Sequence, residues 1–237
     1  MIALVDADIL MFRVAWAKNS EEDFEVVKDY MREYWSTIAT STKATSYIGF
    51  LTGKRNFRYE VAQTLPYKGN RTQREKPVWK DKIRDLLVET YHCIIVDGME
   101  ADDALSITQR QLNAEGKETV IVSTDKDLLQ IPGNHFNFVK QEWLQVDNKL
   151  AKYNLWKQVL MGDLATDNIQ GIPGIGPKKA ENILQDLEEG NMMEGTLYRY
   201  VIHFGEYEGI RKFTENYYLL KLLDNREGFI IPNITLF

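Results

Sequence analysis

The chain has 237 residues, of which 44% are hydrophobic and 27% charged, and its formal net charge at pH 7 is −6. These values are typical of a globular protein with one large domain, or one domain and a small appendage. Its apolar runs are far shorter than the ~20 residues that a membrane-spanning helix needs, so we expect no membrane association. The start, MIALVDAD, lacks the basic region of a signal peptide.

The one cysteine, Cys93, lies in the apolar run CIIV and cannot form an intrachain disulfide. We therefore expect a buried strand thiol and a cytoplasmic protein, kept in a reducing compartment. His92, His135 and His203 do not have zinc-ligand spacing. Nothing in the sequence demands more than a monomer.

The negative net charge conceals a segregation of charge along the chain. Between Thr52 and Arg84 there are ten lysines and arginines but three acidic residues. Acidic residues gather elsewhere, after the predicted strands. This division is typical of a metal-dependent protein that acts on a polyanion.

Hydrophobic patterning predicts alternating strands and helices in the first part of the chain. The predicted strands are 2–5, 46–51, 93–96, 119–122 and 137–139, and the predicted helices are 11–17, 21–40, 78–90 and 101–113. Residues 63–77 have two prolines and little periodicity, which indicates a loop. Such alternation predicts a mostly parallel sheet covered by helices on both faces, with ligands bound beyond the carboxyl ends of the strands.

The character of the sequence changes near residue 150. We predict a helix at 154–161, a glycine-rich turn at 162–176, a helix at 177–187, and two further helices at 192–204 and 208–224. The expected organisation is therefore an α/β domain at 1–150, with a basic loop or arch at about 63–90, and a helical region at 151–237.

Acidic residues follow the predicted strands directly. Glu100, Asp102 and Asp103 stand at the start of a predicted helix, and Asp125 and Asp127 come just after the strand 119–122. Carboxylates that lie so close together repel one another unless cations neutralise them, and hard divalent ions prefer oxygen ligands. The pattern favours a magnesium site, although acidic residues also occur as ordinary caps of helix N-termini.

The segment GIPGIGPKKA combines a flexible backbone with positive charge. Gly171, Gly174 and Gly176 expose backbone N–H groups before a helix that starts with Lys178 and Lys179, which predicts a site for DNA phosphates. A tight turn with solvated lysines is the alternative. Just upstream, Asp163 and Asp167 are four residues apart, a spacing that would align them on one helical face and let them join the other carboxylates. Surface capping by Asp167 is the competing interpretation.

Five motifs in register carry a family resemblance. LVDAD, PYKGNR, MEADDAL, VSTDKDLLQ and GDLATDNIQGIPGIGPKKA, spanning about residues 2–187, resemble the 5'-nuclease family: phage 5'-3' exonucleases, flap endonucleases and the nuclease domain of bacterial DNA polymerase I. The resemblance implies a resolvase-like, PIN-like α/β core followed by a DNA-binding helix-three-turn-helix at about 154–187. It also implies two Mg²⁺ ions, for which Mn²⁺ can substitute, and a K⁺ site in the turn.

The resemblance implies roles for individual residues. It identifies Lys68 and Arg71 as catalytic residues at the scissile phosphate, together with Asp6 and Asp125, and it gives phosphate contacts to Arg74 and Lys80. The implied metal ligands are Asp6, Glu100, Asp102, Asp103, Asp125, Asp127, Asp163 and Asp167. The implied partners are DNA 5' ends, flaps, duplex junctions and RNA–DNA hybrids, and the phage relatives extend the expected location to an infected host cell. Tyr67 and Trp79 could stack on bases, although Trp79 could equally belong to the core.

Two departures from the family pattern stand out. The family places an aspartate at the end of the second strand, where this chain has Leu51 and Thr52, so that Asp8 or a water would have to substitute. The spacing between the aspartates of GDLATDN is one residue longer than usual, which leaves open the partners of Asp163 and Asp167. Two alternatives therefore stay open: a PIN-like metal-dependent ribonuclease, and a DNA-structure-binding protein without catalysis.

Overall fold

The computed structural model describes residues 1–17, 23–71 and 75–237. Within these residues the strands and helices alternate up to about residue 146, and helices dominate thereafter. The strands are β1 (Ile2–Asp6), β2 (Ser46–Thr52), β3 (Ile94–Val96), β4 (Thr119–Val122), β5 (Gly133–Asn137), β6 (Glu142–Val146), β7 (Gly162–Asp163), β8 (Ile169–Gln170) and β9 (Thr235–Leu236). The α-helices are α1 (Ala7–Ala17), α2 (Phe24–Thr42), α3 (Arg58–Val61), α4 (Lys80–Glu89), α5 (Ala101–Ala114), α6 (Asn148–Met161), α7 (Pro177–Leu184), α8 (Met192–Phe204) and α9 (Glu206–Leu220).

The main sheet has the strand order β3-β2-β1-β4-β5-β6. The first four pairings along this order are parallel, whereas β6 runs antiparallel to β5 and the C-terminal β9 runs antiparallel to β2. The central strands β1 and β4 are buried along their whole length. Such uninterrupted apolar strands are expected where helices cover both faces of a parallel sheet.

Two hydrophobic clusters confirm that both faces are covered. One face packs against α1, α2 and α4, with Val14, Met31 and Ile83 fully buried. The other packs against α5, with Leu105 and Ile107 fully buried. The predicted α/β fold with a mostly parallel sheet is therefore confirmed, and the parallel strands bring their carboxyl ends to one edge.

The second part of the chain forms a third hydrophobic cluster around α6, α7, α8 and α9. Tyr67 from the first part also belongs to this cluster. Helices α6 and α7 flank the segment 162–176, whose two short strands β7 and β8 pair antiparallel. The division at residue 150 stays a prediction. No helix of the described ranges is both long and apolar enough to span a bilayer.

Several element boundaries differ from the predicted ones because side chains cap helices earlier than the apolar pattern begins. Helix α1 starts at Ala7, where the Asp6 carboxylate accepts the backbone N–H of Ile9. Helix α6 starts at Asn148, where Asp147 accepts the N–H of Leu150. The predicted strand 137–139 is wrong by several residues: β5 ends at Asn137 and forms a hairpin with β6, whose exposed residues gave no buried-strand signal.

Candidate active site

The carboxyl ends of β1 and β4 hold the first two acidic residues of the site. Asp6 is the last residue of β1, and its carboxylate accepts the Ser123 hydroxyl at 2.7 Å and the Ile9 N–H at 3.0 Å. The same Ser123 hydroxyl accepts the backbone N–H of Asp125 at 2.9 Å. Burial raises the pKa of Asp6 to about 7, and the carboxylates of Asp8 and Asp125 contribute to the increase.

The start of α5 adds Glu100 and Asp102. Burial raises the pKa of Asp102 well above its usual value, and repulsion from Asp6, Asp125 and Glu100 adds to this effect. These carboxylates come from the ends of β1, β4 and the α5 N-terminus, and they are close enough to interact electrostatically. The structure therefore brings four of the predicted ligands, Asp6, Glu100, Asp102 and Asp125, to one edge of the sheet. We call this edge the acidic rim.

Asp127, Asp163 and Asp167 lie beside the acidic rim. Burial raises the pKa of Asp127 to about 7, followed by repulsion from Asp125 and from the two later aspartates. The amide of Gln158 on α6 donates to Asp127 at 2.5 Å. Asp163 and Asp167 do not lie on a regular helix: Asp163 ends the short strand β7, and a single turn follows, closed by the Asp167 N–H on the Asp163 carbonyl at 3.1 Å.

Asp103, also predicted as a metal ligand, contacts a cation and backbone N–H groups instead of other carboxylates. Its side chain is fully buried, and both carboxylate oxygens contact the guanidinium of Arg58, at 2.5 and 2.9 Å. The backbone N–H groups of Glu100 and Leu223 also donate to it. Because these donors occupy both oxygens, we leave Asp103 out of the proposed ligand set. Its role is to hold the α5 N-terminus against the C-terminal segment.

Lys68 and Arg71 lie directly against the acidic residues. The Lys68 ammonium forms an ion pair with Glu100 and stands 3.9 Å from Asp167. The Arg71 guanidinium pairs with Asp167 at 2.6 Å and donates to the carbonyl of Thr166 at 2.9 Å. The Lys68 N–H also bonds the Asp167 carbonyl. Lys68 and Arg71, the two cations predicted to contact phosphate, thus lie at the site and pair there with Glu100 and Asp167.

The structure gives Tyr67 a different place from the one predicted. The ring is 3% exposed, and the hydroxyl lies 3.1 Å from Glu100 and 3.0 Å from Asp167. It is therefore a polar bridge inside the site, and its ring is too buried to stack on bases. Trp79 packs with Phe24 against the core beneath α4, in agreement with the second interpretation of that residue.

No three carboxylate, imidazole or thiol groups of the described ranges stand close enough to grip one metal ion as they are oriented. The chemistry of the set nevertheless fits divalent cations. The groups are hard oxygen ligands, and burial together with mutual repulsion raises the pKa values of Asp6, Asp102 and Asp127. Such groups are stabilised as carboxylates once positive charge enters among them.

The end of β2 lacks the carboxylate that the family resemblance implies. Here the Thr52 N–H donates to the Asp8 carboxylate at 2.9 Å, and the Thr52 hydroxyl accepts the Ala101 N–H at 2.9 Å. Burial raises the pKa of Asp8, and the Glu100 carboxylate contributes to the increase. Asp8 therefore lies within electrostatic range of the rim.

In the segment 162–176, Gly162 and Gly171 stand where a side chain would clash, and Gly174 has a left-handed backbone. A Cβ at Gly171 would lie 2.1 Å from the Met161 carbonyl carbon, and Gly174 has φ +76°. Gly176 precedes α7, and Lys178 and Lys179 are exposed in the first turn of that helix. Arg74 lies outside the described residues. Lys80 begins α4, with its ammonium 5.3 Å from the Phe12 ring centroid.

Sequence reasoning missed the polar residues that orient the site. Asn56 donates to Glu100 at 2.8 Å, and Asn70 donates to the carbonyls of Leu164 and Ala165, which fastens the segment around Lys68 to the turn after Asp163. Of these, Asn70 had a usable signal, because it stands between Lys68 and Arg71 in PYKGNR.

Residues 1–156 match the model of the 5'-3' exonuclease N-terminal resolvase-like domain. The chain belongs to this family. It is 37% identical over 103 residues to DNA polymerase I of Rhizobium leguminosarum, covering 40% of this chain and 10% of that protein. It is 26% identical over 223 residues to the flap endonuclease Xni of Aliivibrio salmonicida, covering 87% of this chain and 86% of that protein. This member of the family thus spans a tenth of the polymerase but most of the length of Xni.

The fold also matches solved structures. The bacteriophage T5 D15 flap endonuclease, in a pseudo-enzyme-product complex with DNA and metal ions, superimposes with a TM-score of 0.70 at 21% identity, covering 93% of this chain and 89% of that one. The same T5 protein co-crystallised with metal ions gives a TM-score of 0.72 at 20% identity. At these identities the likeness confirms the resolvase-like fold.

Proposed function

We propose that this chain is a metal-dependent 5'-nuclease that hydrolyses phosphodiester bonds at or near the 5' ends of DNA, as an exonuclease, a flap endonuclease or both. The observation that carries the proposal is the acidic rim beside Lys68 and Arg71. Within the described ranges, the buried Asp6 and the half-buried Asp102 of this rim form no ion pair that would neutralise their carboxylates. The domain family and the DNA- and metal-bound state of the T5 relative support it.

The proposed ligands of two divalent ions, Mg²⁺ or Mn²⁺, are carboxylates that lie at the acidic rim or directly beside it. They are Asp6, Glu100, Asp102, Asp125, Asp127, Asp163 and Asp167, with Asp8 available in place of the carboxylate that β2 lacks. When bound, such ions activate a water and stabilise the leaving oxygen of an in-line displacement. The carboxylates orient and neutralise them, and the hydrogen bonds from Ser123, Asn56 and Gln158 fix the carboxylate directions.

In this proposal Lys68 and Arg71 exchange carboxylate partners for substrate. Lys68 donates to the scissile phosphate, where a fixed ammonium stabilises the charge that grows during displacement. Arg71 presents a planar set of donors that suits a phosphate as well as it suits Asp167. The Tyr67 hydroxyl keeps Glu100 and Asp167 in place when the two cations turn to the DNA.

The helical region is the proposed grip on duplex DNA. Gly171 lets the turn pack closely against Met161, Gly174 and Gly176 leave room for DNA at the backbone, and Lys178 and Lys179 offer charge at the start of α7, where backbone N–H groups also favour anions. A groove of about 370 Å³ beside the turn adds Arg199 and His203 from α8. We include a K⁺ ion at the turn carbonyls in the proposal. Binding through phosphates would weaken steeply with salt.

The test compares a 5'-labelled flap duplex, a blunt duplex, an RNA–DNA hybrid and single-stranded RNA, each with Mg²⁺ or EDTA. We expect Mg²⁺-dependent release of short 5' products from DNA, and a loss of at least about 100-fold in Asp125→Asn, as for removal of one electrostatic stabiliser. Asp147→Asn is the matched control, because Asp147 is an exposed cap of α6 and asparagine caps equally well.

Other outcomes of the same experiment would decide for the alternatives. Cleavage confined to RNA would indicate a PIN-like ribonuclease. Tight binding of flap DNA without cleavage in Mg²⁺ or Mn²⁺ would indicate a non-catalytic DNA-structure-binding protein.

A further inference from the structure

The residues from 63 to 71, which we call the Lys68 segment, are attached to the helical region on both sides of Lys68. The segment follows β2 in the chain, yet its Tyr67 ring is buried in the third hydrophobic cluster. Of the described residues, 63–68 belong to no helix or strand. Because no backbone ladder fixes this stretch, its position depends on bonds from neighbouring side chains.

On the upstream side, Glu215 of α9 binds the segment where it begins. The Glu215 carboxylate accepts the backbone N–H groups of Gln63 and Thr64 at 2.7 and 2.6 Å, and the Thr64 hydroxyl at 2.6 Å. Glu215 is 6% exposed, and Arg211, one turn earlier on α9, donates to it at 3.0 Å. Hydrogen bonds to a carboxylate are stronger than those between neutral groups. Glu215 therefore fixes the chain shortly before Lys68.

On the downstream side, Asn70 binds the turn that follows Asp163. Its amide donates to the carbonyls of Leu164 and Ala165 at 2.8 and 3.0 Å. Between the two attachments, Lys68 has φ +55°, a left-handed backbone conformation that costs energy in a residue other than glycine. Such a conformation persists where the surrounding contacts hold it.

These two attachments do not use the charges that the proposed reaction needs. In the proposed function, Lys68 and Arg71 release their carboxylate partners when they turn to the phosphate. The bonds of Glu215 and Asn70 to the segment survive this exchange, because they involve neither cation. They therefore keep the backbone of the segment in place while its two charged side chains move.

We propose that Glu215 and Asn70 are positioning residues of the nuclease reaction, which act through Lys68 by holding its backbone beside the acidic rim. The proposal rests on the proposed function, since that function gives Lys68 its role at the phosphate. It goes further by assigning the placement of this cation to one side chain of α9 and one contact with the turn after β7. The competing explanation is that both residues serve the stability of the fold alone.

The first test is a double-mutant cycle on Mg²⁺-dependent cleavage of the 5'-labelled flap duplex in single turnovers. We expect Asn70→Ala and Glu215→Gln each to lower the rate about 10- to 100-fold, since a displacement of about 1 Å costs that much. Their dissociation constants for the flap duplex in EDTA should change by less than about twofold. In a Lys68→Ala background the same changes should lower the remaining rate by less than about twofold, because residues that act as a unit are not additive.

Two matched controls make the same substitutions elsewhere. Glu208→Gln removes a partly exposed carboxylate of α9 that pairs with Arg211 and Lys212 of the same helix. Asn113→Ala removes an exposed asparagine that accepts the Thr119 hydroxyl at the amino end of β4, the end opposite to the rim. Both variants should retain the rate of the unmodified protein within about twofold.

The second test needs neither metal nor cleavage. It follows hydrogen exchange by NMR in EDTA at the backbone N–H of Lys68, which donates to the Asp167 carbonyl, and at that of Arg71, which donates to the Lys68 carbonyl. We expect Asn70→Ala and Glu215→Gln to accelerate exchange at both groups by about fivefold, the effect of one lost hydrogen bond on local opening. The two controls should leave it unchanged.

Losses of rate that are equal with and without the Lys68 ammonium would overturn the proposal and assign both residues to fold stability. Unchanged exchange at the Lys68 N–H in both variants would overturn it as well. Failure of the proposed function is a different result, namely no Mg²⁺-dependent cleavage by the unmodified protein, and the exchange measurement still decides whether the attachments hold Lys68. Asn70 is exposed, so Asn70→Ala decides the test if Glu215→Gln does not fold, which thermal unfolding shows.

Discussion

The acidic rim and the contact between α5 and the C-terminal segment both bury carboxylates, but the two regions satisfy them differently. In the contact, Asp103 receives the Arg58 guanidinium and two backbone N–H groups. Arg58 in turn donates to the carbonyls of Leu219 and Lys221. At the rim, burial raises the pKa of Asp102, and the neighbouring carboxylates of Asp6, Asp125 and Glu100 raise it further. Adjacent residues of one helix thus meet opposite electrostatic environments.

This difference separates carboxylates that stabilise the fold from carboxylates that serve a function. A buried ion pair with all its hydrogen bonds made holds elements together, although it adds less stability than its Coulomb energy suggests. Buried carboxylates that repel one another lower the stability of the folded protein and persist where another role requires them. The rim therefore has the electrostatics of a cation-binding site, and the Arg58–Asp103 contact keeps α5 in place beneath it.

The most direct test of this difference removes one charge from each region. Asp103→Asn should lower the free energy of unfolding by about 3–5 kcal/mol, because it leaves the buried Arg58 charge without a partner. Asp102→Asn, one residue earlier, should leave stability unchanged or raise it in EDTA, because it removes a repelling charge. Urea unfolding at pH 7.5 measures both. Equal losses in the two variants would show that the regions do not differ as described.

The fold could be predicted well because its signals are local. Uninterrupted apolar strands such as β1 and β4 and amphipathic helices such as α2 identify a covered parallel sheet from the sequence alone. The convergence of Asp6, Asp102 and Asp125 could also be predicted, because parallel strands end, and the helices after them begin, at the same edge of the sheet. The β5–β6 hairpin did not follow, because its edge strand is largely exposed and lacks a buried run.

The roles within the acidic motifs could not be predicted in the same way. EADDA presents Asp102 and Asp103 as equivalent, and what separates them is Arg58, 45 residues away, and the Leu223 N–H, 120 residues away. The sequence likewise suggests Tyr67 as a stacking residue, whereas its ring packs in the third hydrophobic cluster and its hydroxyl donates to Glu100. Long-range contacts of this kind leave no local periodicity.

The pH dependence of stability tests the electrostatics of the acidic rim through the raised pKa of Asp6. The folded protein holds the Asp6 proton up to about pH 7, whereas the unfolded chain releases it near the ordinary aspartate pKa of 3.8. The stabilising contribution of the bound proton is therefore complete below about pH 4 and is lost as the pH rises through 7. Between pH 5 and pH 8 in EDTA, the unmodified protein should lose on the order of 2 kcal/mol more stability than Asp6→Asn, which cannot titrate there.

Replacement of Asp6 also removes a charge that raises the pKa of Asp102. The pH dependence that Asp102 contributes therefore becomes smaller too, which increases the expected difference between the unmodified protein and Asp6→Asn. Asp147→Asn, at an exposed cap, should retain the pH dependence of the unmodified protein. Parallel stability curves for the unmodified protein and Asp6→Asn would contradict the raised pKa of Asp6.

The smallest expected effect concerns Thr52, which joins the end of β2 to the start of the helix that carries both aspartates. Its hydroxyl accepts the Ala101 N–H, one of the backbone groups that a helix N-terminus leaves without an internal partner. Thr52→Val keeps the shape but removes this acceptor, and should lower the free energy of unfolding by about 1 kcal/mol, the usual cost of losing a cap. Thr52→Ser should retain the bond and most of the stability. If valine and serine behave alike in urea unfolding, the start of α5 is held by the contacts of Asp103 alone, and the Thr52 hydroxyl does not help to position Asp102 at the rim.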